Sequence, residues 1–241
     1  MKPIMAAVKH KLAYQFLWIG CYIGIYAFFI SLTYWILLAT GLMSSSSGSL
    51  GCRLWGLAFL QFAVALRFKE DFELFLNIHL TRTRIWAVLA SANLIAAFAG
   101  TVCIALEKTA IAALNSALGM QSVELLSKTA PYQTGNMGVF FLFFFSALVF
   151  LSAAGMLVGS LFYRFGPKSV WFFWLAVSLI PVAAFTWNTA GPAGGSPVAV
   201  FSQAWGYLMH FNVPAATASF AGLSIVTGAL AFMHIRSLEL A

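Results

Sequence analysis

Six long apolar runs divide this sequence, and none of them contains more than one Asp, Glu, Lys or Arg side chain. A helix needs about 20 consecutive apolar residues to cross a bilayer, and these runs approach or exceed that length. A membrane strand would instead alternate apolar and polar residues over about ten positions. We therefore expect an all-α polytopic membrane protein, residues 1–241 forming a single transmembrane domain with six transmembrane helices at 17–42, 52–66, 85–106, 139–163, 169–187 and 215–234.

The composition supports this class of protein. Hydrophobic residues make up 62% of the chain and charged residues 8%, whereas soluble domains are about 25% charged. The first apolar run, 17–42, exceeds the 7–15 residues or so of a signal-peptide core, so we interpret it as a membrane span and not as a cleaved leader. Cys21, Cys52 and Cys103 are scattered and odd in number, and they predict no disulfide framework.

The basic residues predict the orientation. If both termini lie on one side, that side holds ten of the 13 Lys and Arg residues, namely Lys2, Lys9, Lys11, Arg67, Lys69, Arg82, Arg84, Arg164, Lys168 and Arg236. The other side holds Arg53, Lys108 and Lys128. Lys and Arg accumulate in cytoplasmic loops, so the sequence predicts a multi-pass protein with both termini cytoplasmic. The net charge of +7 follows from this bias, and no nucleic-acid partner is needed to explain it.

Two segments on the predicted outer side are long enough to have structure of their own. Residues 107–138 contain apolar side chains at roughly helical spacing and predict a short amphipathic cap. Residues 188–214 have no Asp, Glu, Lys or Arg and include Phe201, Trp205 and Tyr207. Such aromatic side chains favour the membrane interface, so we expect this second segment to lie in the outer leaflet or to re-enter the membrane.

One stretch, RFKEDFELFLNIHLTRTR at residues 67–84, gathers seven charged residues in a chain otherwise poor in charge. On a helix, its apolar side chains and His79 fall on one side, and Lys69, Glu70, Glu73 and Asn77 fall on the other. The simplest interpretation is a helix lying on the inner leaflet. However, three carboxylates within four residues would be repelled by anionic lipid. This repulsion favours the interpretation that the helix docks on a soluble partner.

The first 15 residues show a related pattern. Ile4, Val8 and Leu12 recur every four residues, with Lys2, Lys9, His10 and Lys11 around them. This pattern predicts an interfacial helix at residues 1–15 that precedes the first span and lies along the membrane surface.

The order of these segments resembles that of ATP-binding-cassette (ABC) transporter permeases of the type-two exporter class. The most suggestive strings are LRFKEDFELFLNIHLTRTRIWAV and GSLFYRFGPKSVWF, and the resemblance extends over nearly the whole chain by layout. It implies a bacterial plasma-membrane exporter in which residues 67–84 form a cytoplasmic coupling helix that docks on the ATPase subunit. The docking residues would be Arg67, Phe68, Lys69, Glu70, Asp71, Phe72, Glu73, Phe75, Asn77, His79, Arg82 and Arg84. The external segment 107–138 is longer than the smallest relatives require.

The chain lacks motifs for chemistry of its own. No GxxxxGK[ST] loop is present, so ATP and Mg²⁺ would bind a partner ATPase, and this chain is predicted not to be an enzyme and to hold no cofactor. A proton-coupled carrier would usually need a buried ionisable residue within its spans, and the spans have almost none. Polar and aromatic side chains and one kinking proline form a possible substrate path: Gln61, Asn93, Pro181, Phe201, Trp205 and Tyr207. Hydrogen bonding between helices is an alternative role for the polar ones.

The resemblance leads to a specific expectation. Two permease subunits, identical or related, would form a path in membrane lipid above two ATPases, and the cargo would be an amphipathic or hydrophobic compound such as a peptide antibiotic, a lipid or a drug, as in antibiotic resistance or immunity. Two alternatives stay open: a scaffold or sensor partner of a cytoplasmic ATPase that transports nothing, and an ATP-independent channel or carrier. Two GxxxG strings, at Gly20–Gly24 and Gly155–Gly159, permit close helix packing either within the protomer or in a dimer.

Overall fold

The computed structural model describes residues 2–39, 56–117, 136–166 and 213–238, and within these ranges the chain is all α-helical with no strand. The expected all-α class is therefore confirmed for the described residues. The six helices are α1 (Lys2–Ala39), α2 (Gly56–Leu66), α3 (Phe68–Asn77), α4 (Arg82–Ala117), α5 (Met137–Phe165) and α6 (Val213–Ser237).

Three of the helices are long and apolar enough to cross a membrane. They are Arg82–Ala110 within α4, Met137–Phe165 (α5) and Val213–Ser237 (α6), and they contain the predicted spans 85–106, 139–163 and 215–234. These helices are compatible with a membrane protein. No other helix among the described residues meets that measure, so six spans remain a prediction.

The other three predicted spans do not coincide with membrane-length helices among the described residues. Span 17–42 falls on α1 as far as Ala39, and span 52–66 falls on α2, whose 11 residues are fewer than the roughly 20 needed to cross a bilayer. Span 169–187 lies outside the described residues, as do residues 188–212 of segment 188–214 and most of segment 107–138. The first part of that last segment is helical, because α4 continues to Ala117.

α5 lies at the centre of the fold and packs against α2, α3, α4 and α6, while α1 packs mainly against α4. Local signals fix both ends of α5. The side chain of Asn136 accepts a hydrogen bond from the backbone N–H of Gly138 at 2.9 Å, which satisfies one of the free N–H groups at a helix start. At the other end Gly166 has φ of 75°, a left-handed conformation that glycine adopts without a Cβ penalty.

The interior contains two apolar clusters, one toward each end of the helices. The first is rich in phenylalanine, including Phe140, Phe143, Phe144 and Phe220. The second cluster brings together the first turns of α1, the helix α3, the start of α4 and the ends of α5 and α6. Its members include Ala7, Phe72, Ile85, Met156 and Ile235. Side chains from opposite ends of the sequence therefore meet at one end of the fold. We call this end, which holds Lys11, Arg67, Arg82, Arg164 and Arg236, the basic end.

The N-terminal segment predicted as an interfacial helix at 1–15 is helical from Lys2 and continuous with the helix that follows, and its position along a membrane surface stays a prediction. α1 runs without interruption from Lys2 to Ala39, and Ala7 is 2% exposed against the second cluster. No glycine or proline interrupts residues 4–19, so nothing in the local sequence separates an interfacial helix from the helix that follows.

Candidate functional site

Three phenylalanines anchor α3 at the basic end. Phe68, Phe72 and Phe75 are each 1% exposed. The ring of Tyr163 on α5 meets the ring of Phe72 edge-on, with centroids 5.2 Å apart, and that of Phe68 with centroids 6.3 Å apart. Phe68 and Phe72 also stack on each other at 5.1 Å. Burial of this many aromatic side chains fixes the orientation of α3 against α5.

The opposite face of α3 is exposed and mostly polar. It presents Lys69, Glu70, Glu73 and Asn77, together with Leu74, which is 42% exposed. The helix is therefore amphipathic, and the predicted separation into an apolar and a charged side describes it except at His79.

His79 lies outside the helical face to which the sequence pattern assigned it. α3 ends at Asn77, and His79 is exposed with φ of 60°, in the left-handed region. The backbone N–H of His79 donates to the carbonyl of Leu76 at 2.9 Å, and that of Leu80 donates to the carbonyl of Phe75 at 3.1 Å. This pair of hydrogen bonds is a Schellman turn, and the buried Leu80 packs in the same cluster as Phe75. The chain therefore does not continue as a helix at His79. The Schellman turn directs it into α4.

All three carboxylates of the 67–84 stretch have cationic partners. Glu70 pairs with Arg67, and Glu73 lies 3.9 Å from the Nζ of Lys69. Asp71 turns toward the interior and pairs with Lys11 on α1, whose side chain is 2% exposed. The stretch is thus less acidic toward its surroundings than the sequence suggests, because one carboxylate is neutralised inside the fold.

The remaining predicted coupling residues begin α4. Arg82 is partly buried and Arg84 is exposed. Arg67 lies between α2 and α3, and its guanidinium sits 4.6 Å from the ring centroid of Tyr14 on α1. The structure thus distributes the predicted set over α3, two turns and the first turn of α4.

A cavity of about 480 Å³ lies between α4, α5 and α6. Its lining is mainly apolar and includes Trp86, Leu94, Met156, Ile225 and Phe232. Polar side chains are few: Asn93, Ser152 and Ser224. The two serine hydroxyls donate to carbonyls of their own helices, at 2.9 Å for Ser152 and 2.6 Å for Ser224, so they offer little to a ligand. The cavity suits an apolar molecule or chain.

Asn93 links the cavity to a buried polar cluster. The Nε2 of Gln15 donates to the side-chain Oδ1 of Asn93 at 2.5 Å. The Nε2 of Gln61 donates to the backbone carbonyl oxygen of Asn93 at 3.3 Å. Gln15 is 1% exposed, and its Oε1 has no hydrogen-bond partner among the described residues. Of the predicted substrate path, Gln61 and Asn93 are thus brought together and join α1, α2 and α4. Pro181, Phe201, Trp205 and Tyr207 lie outside the described residues.

Sequence reasoning missed several contributors to these sites. The sequence pattern assigns Lys11 to a surface helix and no role to Gln15. Both side chains lie on one side of α1 and are buried. A spacing of four residues between two polar side chains was the available signal, because positions i and i+4 share a helix face. Nothing in the sequence indicated that Tyr163 packs on α3.

Comparison with known proteins adds no relative. No family model matches the chain, and neither curated proteins nor solved structures give a match. The functional interpretation therefore depends on the residues themselves.

Proposed function

We propose that this protein is a membrane permease subunit of an ATP-driven exporter of the ABC type, with the energy supplied by a separate ATPase subunit. The observation behind the proposal is the placement of α3. It is a short amphipathic helix between α2 and the membrane-length helix α4, buried through three phenylalanines and exposed through a charged face. Such a helix can transmit a displacement imposed by a soluble partner to the membrane helices.

The contacts of α3 suggest how that displacement would travel. A Cβ built on Gly159 of α5 would lie 2.8 Å from the Cβ of Phe68, so the two backbones are in close contact. Tyr163 lies one turn further along α5, between Phe68 and Phe72. Because closely packed side chains transmit displacement, movement of α3 would shift the basic end of α5 and with it one wall of the cavity.

The remaining assignments of the proposal follow from the resemblance in layout. A second permease subunit, the same or related, would complete the path, and each ATPase would bind ATP and Mg²⁺. The cargo would be amphipathic or hydrophobic, in keeping with the apolar cavity. The protein would lie in a bacterial plasma membrane with both termini cytoplasmic.

The test is purification of the tagged full-length protein from its native membranes, followed by identification and quantification of the proteins that accompany it. We expect a stoichiometric ATPase with a GxxxxGK[ST] loop, and we expect the variant Glu70→Lys with Glu73→Lys to lose it. Both glutamates are at least half exposed, so their ion pairs contribute only about 0–1 kcal/mol to stability and the variant should still fold.

A charge swap provides the matched control. Arg67→Glu combined with Glu70→Arg keeps an ion pair at the start of α3 but exchanges the positions of the two charges shown to a partner. Loss of the ATPase in both variants, with unchanged thermal stability, would support docking on this face. Retention of the ATPase in both would refute the coupling assignment. An ATPase whose hydrolysis rate does not change with any candidate cargo would favour the scaffold or sensor alternative. Flux of cargo in protein-only liposomes without ATP would favour a channel or carrier.

A further inference from the structure

The cavity between α4, α5 and α6 extends toward the basic end. Among its lining residues, Trp86 is the first on α4, Met156 the last on α5 and Phe232 the last on α6, and all three are the nearest to that end. The rings of Trp86 and Phe232 meet edge-on with centroids 5.1 Å apart. From Trp86 to Asn93 the cavity follows α4 for about 10 Å, or two helical turns.

An arginine continues the cavity-lining face of two of these helices. On α4, Arg82 lies one turn before Trp86, and on α6, Arg236 lies one turn after Phe232. Residues four apart share a helix face, so both guanidinium groups are attached on the sides of their helices that border the cavity. Arg84, two residues further along α4 than Arg82, is attached on the opposite side.

Two donors on the cavity-lining side of α4 have no acceptor among the described residues. The Nη1 of Arg82 and the Nε1 of Trp86 are buried and have no hydrogen-bond partner within the described part of the chain. Buried donors in folded proteins nearly always have an acceptor, so a donor without one in the protein usually meets an ordered water, an ion or a bound molecule. Among the described residues, the nearby carboxylates of Glu70, Asp71 and Glu73 pair instead with Arg67, Lys11 and Lys69.

We propose that this cavity binds one anionic phospholipid of the inner leaflet, with an acyl chain between α4, α5 and α6 and the headgroup phosphate at Arg82 and Arg236. The apolar lining fits the chain, and the arginines with the indole N–H of Trp86 fit the phosphate. Basic pockets between membrane helices on the cytoplasmic side bind such headgroups by the same complementarity. The proposal requires membrane placement but no ATPase, so it and the exporter proposal can fail separately.

The experiment uses the full-length protein in phosphatidylcholine vesicles that contain a trace of phosphatidylglycerol with a photoactivatable acyl chain. After illumination, labelled peptides are located by mass spectrometry. We expect the label on cavity-lining positions of α4 and α6, and a reduction of about fivefold in Arg82→Gln and again in Arg236→Gln, the effect of one basic side chain near an anionic lipid surface. The same probe with a phosphatidylcholine headgroup should label the cavity weakly in every variant.

Matched variants separate the lipid site from general effects. Arg84→Gln removes the same charge from the far side of α4 and should leave labelling unchanged. Gly228→Leu should abolish labelling, because Gly228 lines the cavity and a Cβ there meets nothing within 4 Å, whereas Gly222→Leu on the same helix should have no effect. Unlabelled phosphatidylglycerol should compete and soluble glycerol phosphate should not.

Several results would overturn the proposal. They are equal labelling by both probes, equal loss in Arg84→Gln and Arg82→Gln, and undiminished labelling of Gly228→Leu. Competition by glycerol phosphate would assign the arginines to a free phosphate and also refute the lipid site. Each variant is first checked for a single peak in size-exclusion chromatography and for an unchanged Tm, and Arg236→Gln tests the headgroup site independently should Arg82→Gln fail to fold.

Discussion

At the scale of single residues, the ion pair between Lys11 and Asp71 is the contact that ties the first turns of the chain to α3. Lys11 is 2% exposed and Asp71 is 15% exposed, so neither charge is well solvated. A buried pair contributes little net stability, but removal of one partner leaves the other charge buried and unpaired. The pair therefore acts mainly to fix where α1 lies on α3.

We predict that Lys11→Met lowers the free energy of unfolding by about 3–5 kcal/mol, the usual effect of breaking a buried pair. The measurement is thermal unfolding of the purified protein in mild detergent. Replacing both partners, Lys11→Met with Asp71→Leu, should recover most of the loss, since no buried charge then remains unpaired. The matched control is Lys9→Met, which removes an exposed lysine from the same helix and should have little effect. Equal effects of Lys9→Met and Lys11→Met would contradict this account.

At the scale of helices, small residues on α5 set the distance to α2. A Cβ added to Gly155 would lie 2.6 Å from the carbonyl oxygen of Phe62 and 2.7 Å from the Cβ of Ala65. The second GxxxG string thus packs within the protomer. A Cβ at Gly20 or Gly24 meets nothing within 4 Å, so the first string does not pack on the described part of the chain.

We predict that Gly155→Ala destabilises the protein by about 1–3 kcal/mol, because the added methyl forces the helices apart. Gly222→Ala on α6 is the control, since its Cβ would meet nothing within 4 Å and alanine favours a helix by up to about 1 kcal/mol over glycine. Thermal unfolding in detergent should therefore show a lower Tm for the first variant and an equal or higher Tm for the second. An unchanged Tm for Gly155→Ala would mean that the contact between α2 and α5 is looser than described.

At the scale of the whole molecule, the two ends differ in charge. The basic end holds Lys11, Arg67, Arg82, Arg164 and Arg236, and the carboxylates described there, those of Glu70, Asp71 and Glu73, are paired. At the other end Glu107 accepts a hydrogen bond from the hydroxyl of Tyr26, and the Nζ of Lys108 lies 4.2 Å from the ring centroid of Phe140. This asymmetry agrees with an orientation that places the basic end in the cytoplasm.

We predict that a cysteine at Thr83 reacts with a membrane-impermeant maleimide only after the cells are lysed, and that one at Ala110 reacts in intact cells. Both positions are exposed on α4, near its opposite ends, and the background would lack the three native cysteines. Reaction at both positions in intact cells would argue against α4 as a span. The reversed pattern would place the basic end outside and would remove both the coupling role of α3 and the inner-leaflet lipid site.

Much of the local structure followed from the sequence alone, because its causes are local. The length of the apolar runs predicted α4, α5 and α6, and the spacing of Phe68, Phe72 and Phe75 predicted the buried face of α3. The sequence did not distinguish His79 from a helical residue, since histidine adopts the left-handed conformation only where surrounding contacts require it.

The tertiary structure decided what residues far apart in sequence do together. The pairing of Lys11 with Asp71, the contact of Gly155 with Phe62, and the cavity lined by α4, α5 and α6 each join separate helices. Periodicity shows which side of a helix is apolar, but not which helix will cover it or at what height. The sequence by itself therefore determined that this chain forms apolar helices with one charged, amphipathic connection. Only the packing determined which charges are neutralised inside the fold and which remain available for a ligand.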